Sequence, residues 1–274
     1  MIDLHTHTSE SDGRCSPVEL VARAAAAGVD ILSVTDHDTT AGCGPASRAC
    51  ADAGVEFVCG IEVTSIVDDV DVHVLGYFIT ADHMALSSFL AEQRRRRIDR
   101  VRQMIDRLAV HGIALDAGAI LGPGLSDRGK AIGRPSIARA LVAAGHVRTT
   151  SEAFDVWLAK GRPAFVPRAG PPPEDVIARI HAAGGIASLA HPALNGRDHL
   201  IGALVDSGLD AIEAYHTDHT PADTSRYLAF AQQFGVAISG GSDYHADETH
   251  GGEPGCVSLP RDAYERLKAR RRPA

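Results

Sequence analysis

A chain of 274 residues, 45% hydrophobic and 23% charged, can bury a full core and fits one α/β barrel domain rather than a disordered polypeptide. Its formal net charge of −8 argues against a broad basic face wrapped on duplex DNA and leaves room only for a local positive site. No apolar run approaches the roughly 20 residues of a membrane span, and five cysteines without a C-x-x-C pair predict reduced packing residues in a cytoplasmic protein.

The first strand is expected to open with the apolar run at residues 2–4 and to carry His5 and His7, so no leader could be cut away without loss of both. A helix should begin at Ser16-Pro17-Val18-Glu19, which combines an N-cap serine, a first-turn proline and a capping-box glutamate, and should stop at Gly28. Further apolar, β-branched runs lie at 31–35, 56–63, 72–79, 186–190, 211–215 and 236–239, mostly followed by helical patterns. This is a βα rhythm of about seven strands.

Between residues 85 and 161 the rhythm stops, and helices are expected at 92–111, 135–144 and 151–160. This stretch is read as a helical insertion lidding the active-site cleft, with 1–84 and 162–274 forming the barrel core. Pro163, Pro167 and the Pro171-Pro172-Pro173 run mark the return to the core, with a helix over 174–183. The run Arg94–Arg97 points in four directions on a helix and reads as a solvated surface, not a nucleic-acid stripe.

His5 and His7, two residues apart on a strand, point to the same side and could share one metal ion, although such a pair alone is more often packed or solvated. The observation then repeats at strand after strand. Asp12 follows the first, Thr35-Asp36-His37-Asp38 ends the second, and Gly60-Ile61-Glu62-Val63-Thr64 ends the third. His73 lies on the fourth, Ala190-His191-Pro192 ends the fifth, and Ser242-Asp243-Tyr244-His245 ends the last. In a βα barrel the carboxyl ends of the strands gather catalytic loops, so the constellation carries more weight than any member. Asp36 and Asp38, flanking His37, are candidates to orient it. No G-x-S-x-G elbow is present, and no cysteine stands beside a motif histidine.

These motifs, D-L-H-T-H-T with S-D-G, T-D-H-D, G-I-E-V, the strand histidine, A-H-P and S-D-Y-H, resemble the PHP (polymerase and histidinol phosphatase) superfamily of metal-dependent phosphoesterases. Ile132-Gly133-Arg134-Pro135 and Lys160-Gly161-Arg162-Pro163 resemble the branch that holds nucleoside 3′,5′-bisphosphate phosphatases and small exoribonucleases. The resemblance implies a distorted (β/α)7 TIM-like barrel holding up to three divalent ions, manganese, iron or zinc. His5, His7, Glu62 and Asp243 would hold one. Glu62 would bridge to a second held by His73 and His191, and Asp12, His37 and His245 would hold the third. Three carboxylates and six neutral histidines set against three such ions leave about +3, a pocket suited to phosphate inside an acidic protein. A metal-bridging hydroxide held by Glu62, Asp243, His5 and His7 is the expected nucleophile.

Arg134, Lys160 and His219 are candidates to grip substrate phosphate, with Arg197 a weaker one. His111, His146 and His181 sit near helix ends and need no catalytic role. The expected reaction is removal of one phosphate from a small nucleotide, most simply a nucleoside 3′,5′-bisphosphate. A 5′-3′ exoribonuclease on short RNA, a histidinol-phosphatase-like enzyme, an amidohydrolase and a non-catalytic metal-binding module are the rivals.

Overall fold

The first turns of the chain follow their local signals. A computed structural model describes residues 1–126, 133–247 and 252–271; Ile132 of the insertion motif lies outside them. After β1 (Ile2–Asp3), helix α1 runs over Pro17–Ala26, with Ser16 and Glu19 closing the capping box. Its buried residues Pro17, Leu20, Val21 and Ala24 recur at helical spacing and form one apolar stripe. β2 (Ile31–Val34), α2 (Cys43–Ala53), β3 (Glu56–Val67) and β4 (Val70–Tyr77) follow.

The chain divides into two compact units, Met1–Leu90 with Pro171–Ala274, and Ala91–Gly170. In the first, α7 (Pro173–Ala182), β5 (Ile186–Leu189), α8 (Pro192–Asn195), α9 (Ile201–Asp206), β6 (Ala211–His216), α10 (Pro221–Phe234), β7 (Ala237–Gly241) and α11 (Arg261–Lys268) complete the fold. The seven strands form one sheet in chain order. Leu4 N–H donates to Gly240 C=O at 3.2 Å, and Thr6 bridges to Tyr244, so β1 and β7 all but close a barrel. Leu4, Val58, Leu75, Tyr77 and Ile186 belong to one buried apolar cluster, and Ile61, Val74, Ile177 and Tyr227 to another.

One strand departs from the expected rhythm. β4 runs antiparallel to both β3 and β5, joined to β3 by a two-residue turn, Asp68-Asp69, with φ of 51° and 64°. Positive φ at both central residues is the backbone that lets a tight hairpin follow the twist of its strands. No helix intervenes, and the carboxyl end of β4 therefore points away from those of its neighbours.

Gly241 is where β7 passes hardest against β1. A Cβ there would lie 2.6 Å from the His5 Cβ and 2.7 Å from the Asp3 Oδ1. Gly241→Ala is therefore expected to lower stability by about 2–3 kcal/mol through overpacking, read as a lower urea midpoint. A wild-type midpoint would show that β1 and β7 can separate freely.

The second unit is helical: the remainder of α3 (Met84–Val110), α4 (Ala117–Ser126), α5 (Arg134–Ala143), α6 (Thr150–Ala153) and a π-helical turn over Phe154–Leu158. Val101, Met104, Leu108, Ile137, Leu141 and Leu158 share its core. Arg95 and Arg96 pair with Glu92, as expected of a solvated surface. α3 starts eight residues before the expected position, because Leu86 and Leu90 pack into the core of the first unit. Among the described residues, no helix is long and apolar enough to cross a membrane.

Candidate metal centre

His5 and His7 leave β1 into the barrel mouth, where His7 N–H donates to Tyr244 C=O at 2.8 Å and Asp243 N–H donates to His5 C=O at 2.8 Å. His37, beyond β2, bridges to Glu62 on β3. The reversal of β4 places His73 opposite Thr64, two residues from Glu62 and on the same face, so an early residue of this strand reaches the same end as the late residues of the others.

Glu62, 1% exposed, is the centre of the cluster. Its Oε2 lies 3.4 Å from His5 Nε2, 3.3 Å from His7 Nε2 and 3.1 Å from His37 Nδ1. Its Oε1 lies 2.8 Å from His73 Nδ1 and 2.9 Å from His191 Nε2. Asp243 Oδ1 adds contacts of 3.2 Å and 3.1 Å to the same nitrogens of His5 and His7. Asp12 stands among His7, His37 and His245 at 3.6, 3.6 and 3.3 Å. The ligand-capable atoms fall into groups that each lie within 4.8 Å: His5, His7, Glu62 and Asp243; His7, Asp12, His37 and His245; and His37, Glu62 and His73.

This donor set fits divalent cations. Both ring nitrogens of His7, Nδ1 of His37 and Nδ1 of His191 are buried without a hydrogen-bond partner. Burying a ring nitrogen without a hydrogen bond is costly, and imidazole with carboxylate is the chemistry that binds manganese, iron and zinc.

The electrostatics agree. Burial favours the neutral form of Glu62, but His37, His73 and His5 hold its carboxyl well below the usual range. Burial likewise opposes charge on His7, yet Asp243 and Glu62 outweigh it and raise its pKa to about 10. His37 goes the other way, down to about 4, because burial dominates over Glu62 and Asp12. In the metal-free protein, protons thus stand where ions would bind. A histidine raised above its unfolded pKa of about 6.5 gives stability that is complete below that pH and is lost as pH rises through about 10. Bound metal has to displace those protons. Saturating manganese should therefore raise the melting temperature by more at about pH 8.5 than at about pH 6. An equal shift at both would mean that binding releases no protons.

Three residues at the site have left-handed backbones: Asp38 (φ 54°), His191 (φ 27°) and Asp243 (φ 53°). Such strain persists only where neighbours over-determine it. Asp38 N–H donates to Glu62 C=O at 2.8 Å, and its carboxylate accepts from Thr64 N–H at 2.9 Å. Asp36 accepts from Thr8 N–H at 2.7 Å and Ser11 Oγ at 2.6 Å, which holds the loop carrying Asp12. Of the aspartates flanking His37, Asp36 thus serves the loop that carries Asp12, and Asp38 serves β3 beside Glu62. Asp3, fully buried, accepts from Ser242 N–H at 2.9 Å, Ser242 Oγ at 2.7 Å and Gly255 N–H at 2.7 Å, and so fixes the turn before Asp243.

Other candidates are dispersed. His219 stands beside the cluster, its ring 5.2 Å from that of His216, with Nδ1 donating to Ala214 C=O at 3.1 Å. Arg134, the first residue of α5, and Lys160, exposed after the π-helical turn, belong to the second unit; Arg134 lies over the Phe154 ring at 5.6 Å. Arg197 pairs with Asp68 at 2.9 Å, and His181 with Asp210 at 2.7 Å. Two site residues went unsuspected, Glu213 and His216 on β6, which group with His5. A charged residue inside the apolar run at 211–215 was the available signal, since a buried glutamate needs a partner.

The PHP domain family profile matches residues 3–119. The chain is 35% identical to the 3′,5′-nucleoside bisphosphate phosphatase of Chromobacterium violaceum, covering 98% of this chain and 97% of that protein. It is 33% identical to the 5′-3′ exoribonuclease Rnm of Escherichia coli, covering 89% and 84%. A crystal structure described as a metal-dependent phosphoesterase from Bifidobacterium adolescentis superposes with a TM-score of 0.82 at 32% identity, covering 99% of this chain and 96% of that one.

Proposed function

Given that the chain belongs to the PHP family of metal-dependent phosphoesterases, we propose that it hydrolyses a nucleoside 3′,5′-bisphosphate to the 5′-monophosphate and phosphate. The observation that carries this reading is the convergence of five imidazoles on the single buried carboxylate of Glu62. In it, His5, His7, Glu62 and Asp243 hold one divalent ion, Glu62 with His73 and His191 a second, and Asp12, His37 and His245 a third. Manganese, iron and zinc all suit these donors. Bound there, such ions supply Lewis-acid charge for the phosphoryl oxygens and acidify water near neutrality.

The chain's own residues do the rest. Glu62 and Asp243 set the spacing of the histidines, and His5 and His7 are fully shielded from bulk water. His219 keeps Nδ1 committed to Ala214, which leaves its buried Nε2 for a phosphate oxygen once protonated. Arg134 and Lys160 are assigned to substrate phosphate, a planar fork and a point charge respectively. Five free thiols suit the cytoplasm, where nucleotides are found.

The test is product analysis. Manganese-loaded protein should release phosphate and 5′-AMP from 3′-phosphoadenosine 5′-phosphate, and Asp243→Ala should not. The similarity to an exoribonuclease supports a second reading, in which short RNA is degraded from its 5′ end. Release of successive mononucleotides from an oligomer, with the bisphosphate inert, would select it. Turnover of neither would sink both.

A further inference from the structure

We propose that β6, which contributes no ligand in the reading above, is the positioning strand of the metal centre: Glu213 fixes His5 and His191, and His216 fixes Asp243. The inference rests on the metal reading and concerns residues outside its ligand set.

Residues 213 and 216 would ordinarily face opposite sides of a strand. Here Glu213 pairs with Ser239 and Tyr215 with Gly240, so Ala214 is an extra residue in β6. Such a bulge re-aims the side chains that follow it. Both Glu213 and His216 are consequently buried against the cluster, at 0% and 4% exposure.

Glu213 uses its two oxygens on two different candidate ligands. Oε1 lies 2.9 Å from His5 Nδ1, and Oε2 accepts from the His191 backbone N–H at 2.7 Å. A carboxylate can only accept, so His5 carries its proton on Nδ1 and turns the Nε2 lone pair toward Glu62 and Asp243. The second bond holds the backbone of His191 in its left-handed conformation. His216 works the same way from the other side. Its Nδ1 accepts from Asp218 N–H at 3.1 Å, which leaves the proton on Nε2 to donate to Asp243 Oδ2 at 3.3 Å. That leaves Asp243 Oδ1 for His5 and His7. Two assigned ion positions, the one on His5 and the one on His191, are thereby tied through one glutamate.

Chelator competition on Glu213→Gln tests this. Both partners of Glu213 are N–H donors, and an amide of the same size offers only one acceptor. Manganese affinity should fall by about 10–100-fold, while KM at saturating metal stays unchanged. His216→Leu should show the same fall, and His216→Gln, which keeps a donor near the Nε2 position, should recover part of it. A melt of each metal-free variant reports folding separately. Should Glu213→Gln not fold, nitrogen-15 histidine spectra of zinc-loaded wild-type protein decide instead: His5 must show a protonated Nδ1 and a metal-shifted Nε2. Unchanged metal affinity in folded Glu213→Gln, or a zinc-bound Nδ1 on His5, overturns the inference alone. A wild-type protein that takes up no metal overturns the metal reading and this inference with it.

Discussion

Glu62→Gln is expected to lower kcat/KM by about a thousandfold, with incomplete metal content after loading. The side chain keeps its volume, so what is lost is one negative charge and half of its acceptor capacity. Five imidazole nitrogens lie within 3.4 Å of the two Glu62 oxygens, and an amide can accept at only one of them. Removing one partner from a buried charge cluster costs about 3–5 kcal/mol, and each factor of ten in rate corresponds to about 1.4 kcal/mol. That span corresponds to about 140- to 4,000-fold, and a thousandfold falls within it. Metal analysis beside steady-state kinetics checks it. Activity within tenfold of wild type at full metal content would remove Glu62 from the centre of the chemistry.

Asp3→Asn should do the opposite, with the damage falling on stability. Asp3 has no place in the ligand groups, yet it collects N–H and O–H donors from Ser242 and Gly255 in a fully buried position. An asparagine presents its NH2 to at least one of these donors. A buried donor left unsatisfied costs about 1–3 kcal/mol, and bonds to a charged group run at the upper end. A loss of about 3 kcal/mol is expected, seen as a lower urea midpoint with an unchanged slope. What activity remains should show weakened metal binding, because Ser242 precedes Asp243. An unshifted midpoint would mean that the Ser242 turn holds itself.

Most of the histidine and carboxylate cluster could be read from the chain because its members sit in short, polar-ended strand motifs. His5, His7, Glu62, His191 and Asp243 all meet where the barrel rhythm says strand ends meet. The direction of β4 was not legible from its apolar run, since alternation carries no polarity; the Asp68-Asp69 pair between two such runs held that information as a hairpin turn. Glu213 was hidden for a related reason: it lies inside an apolar run, and period-two reasoning cannot foresee the bulge that brings His216 to the same face. In the helical unit, α4 contains Gly118, Gly122, Gly124 and Pro123, residues that argue against a helix by propensity. Packing of Ile120 and Leu121 into the core of that unit overrides them.

The joining of β1 to β7 also has a consequence for how the protein is made. His5 and Asp243 are neighbours in space but lie far apart in sequence, and Asp3 cannot fill its acceptors until Ser242 and Gly255 arrive. On the ribosome, the early strands must therefore wait, with their histidines and Glu62 uncapped, until residues 242–255 have emerged. Contacts of such long range are slow to form. A nascent chain stalled before residue 242 would present imidazoles and carboxylates without the closing aspartate, and His5 and His7 would lack the charge that Asp243 sets against them.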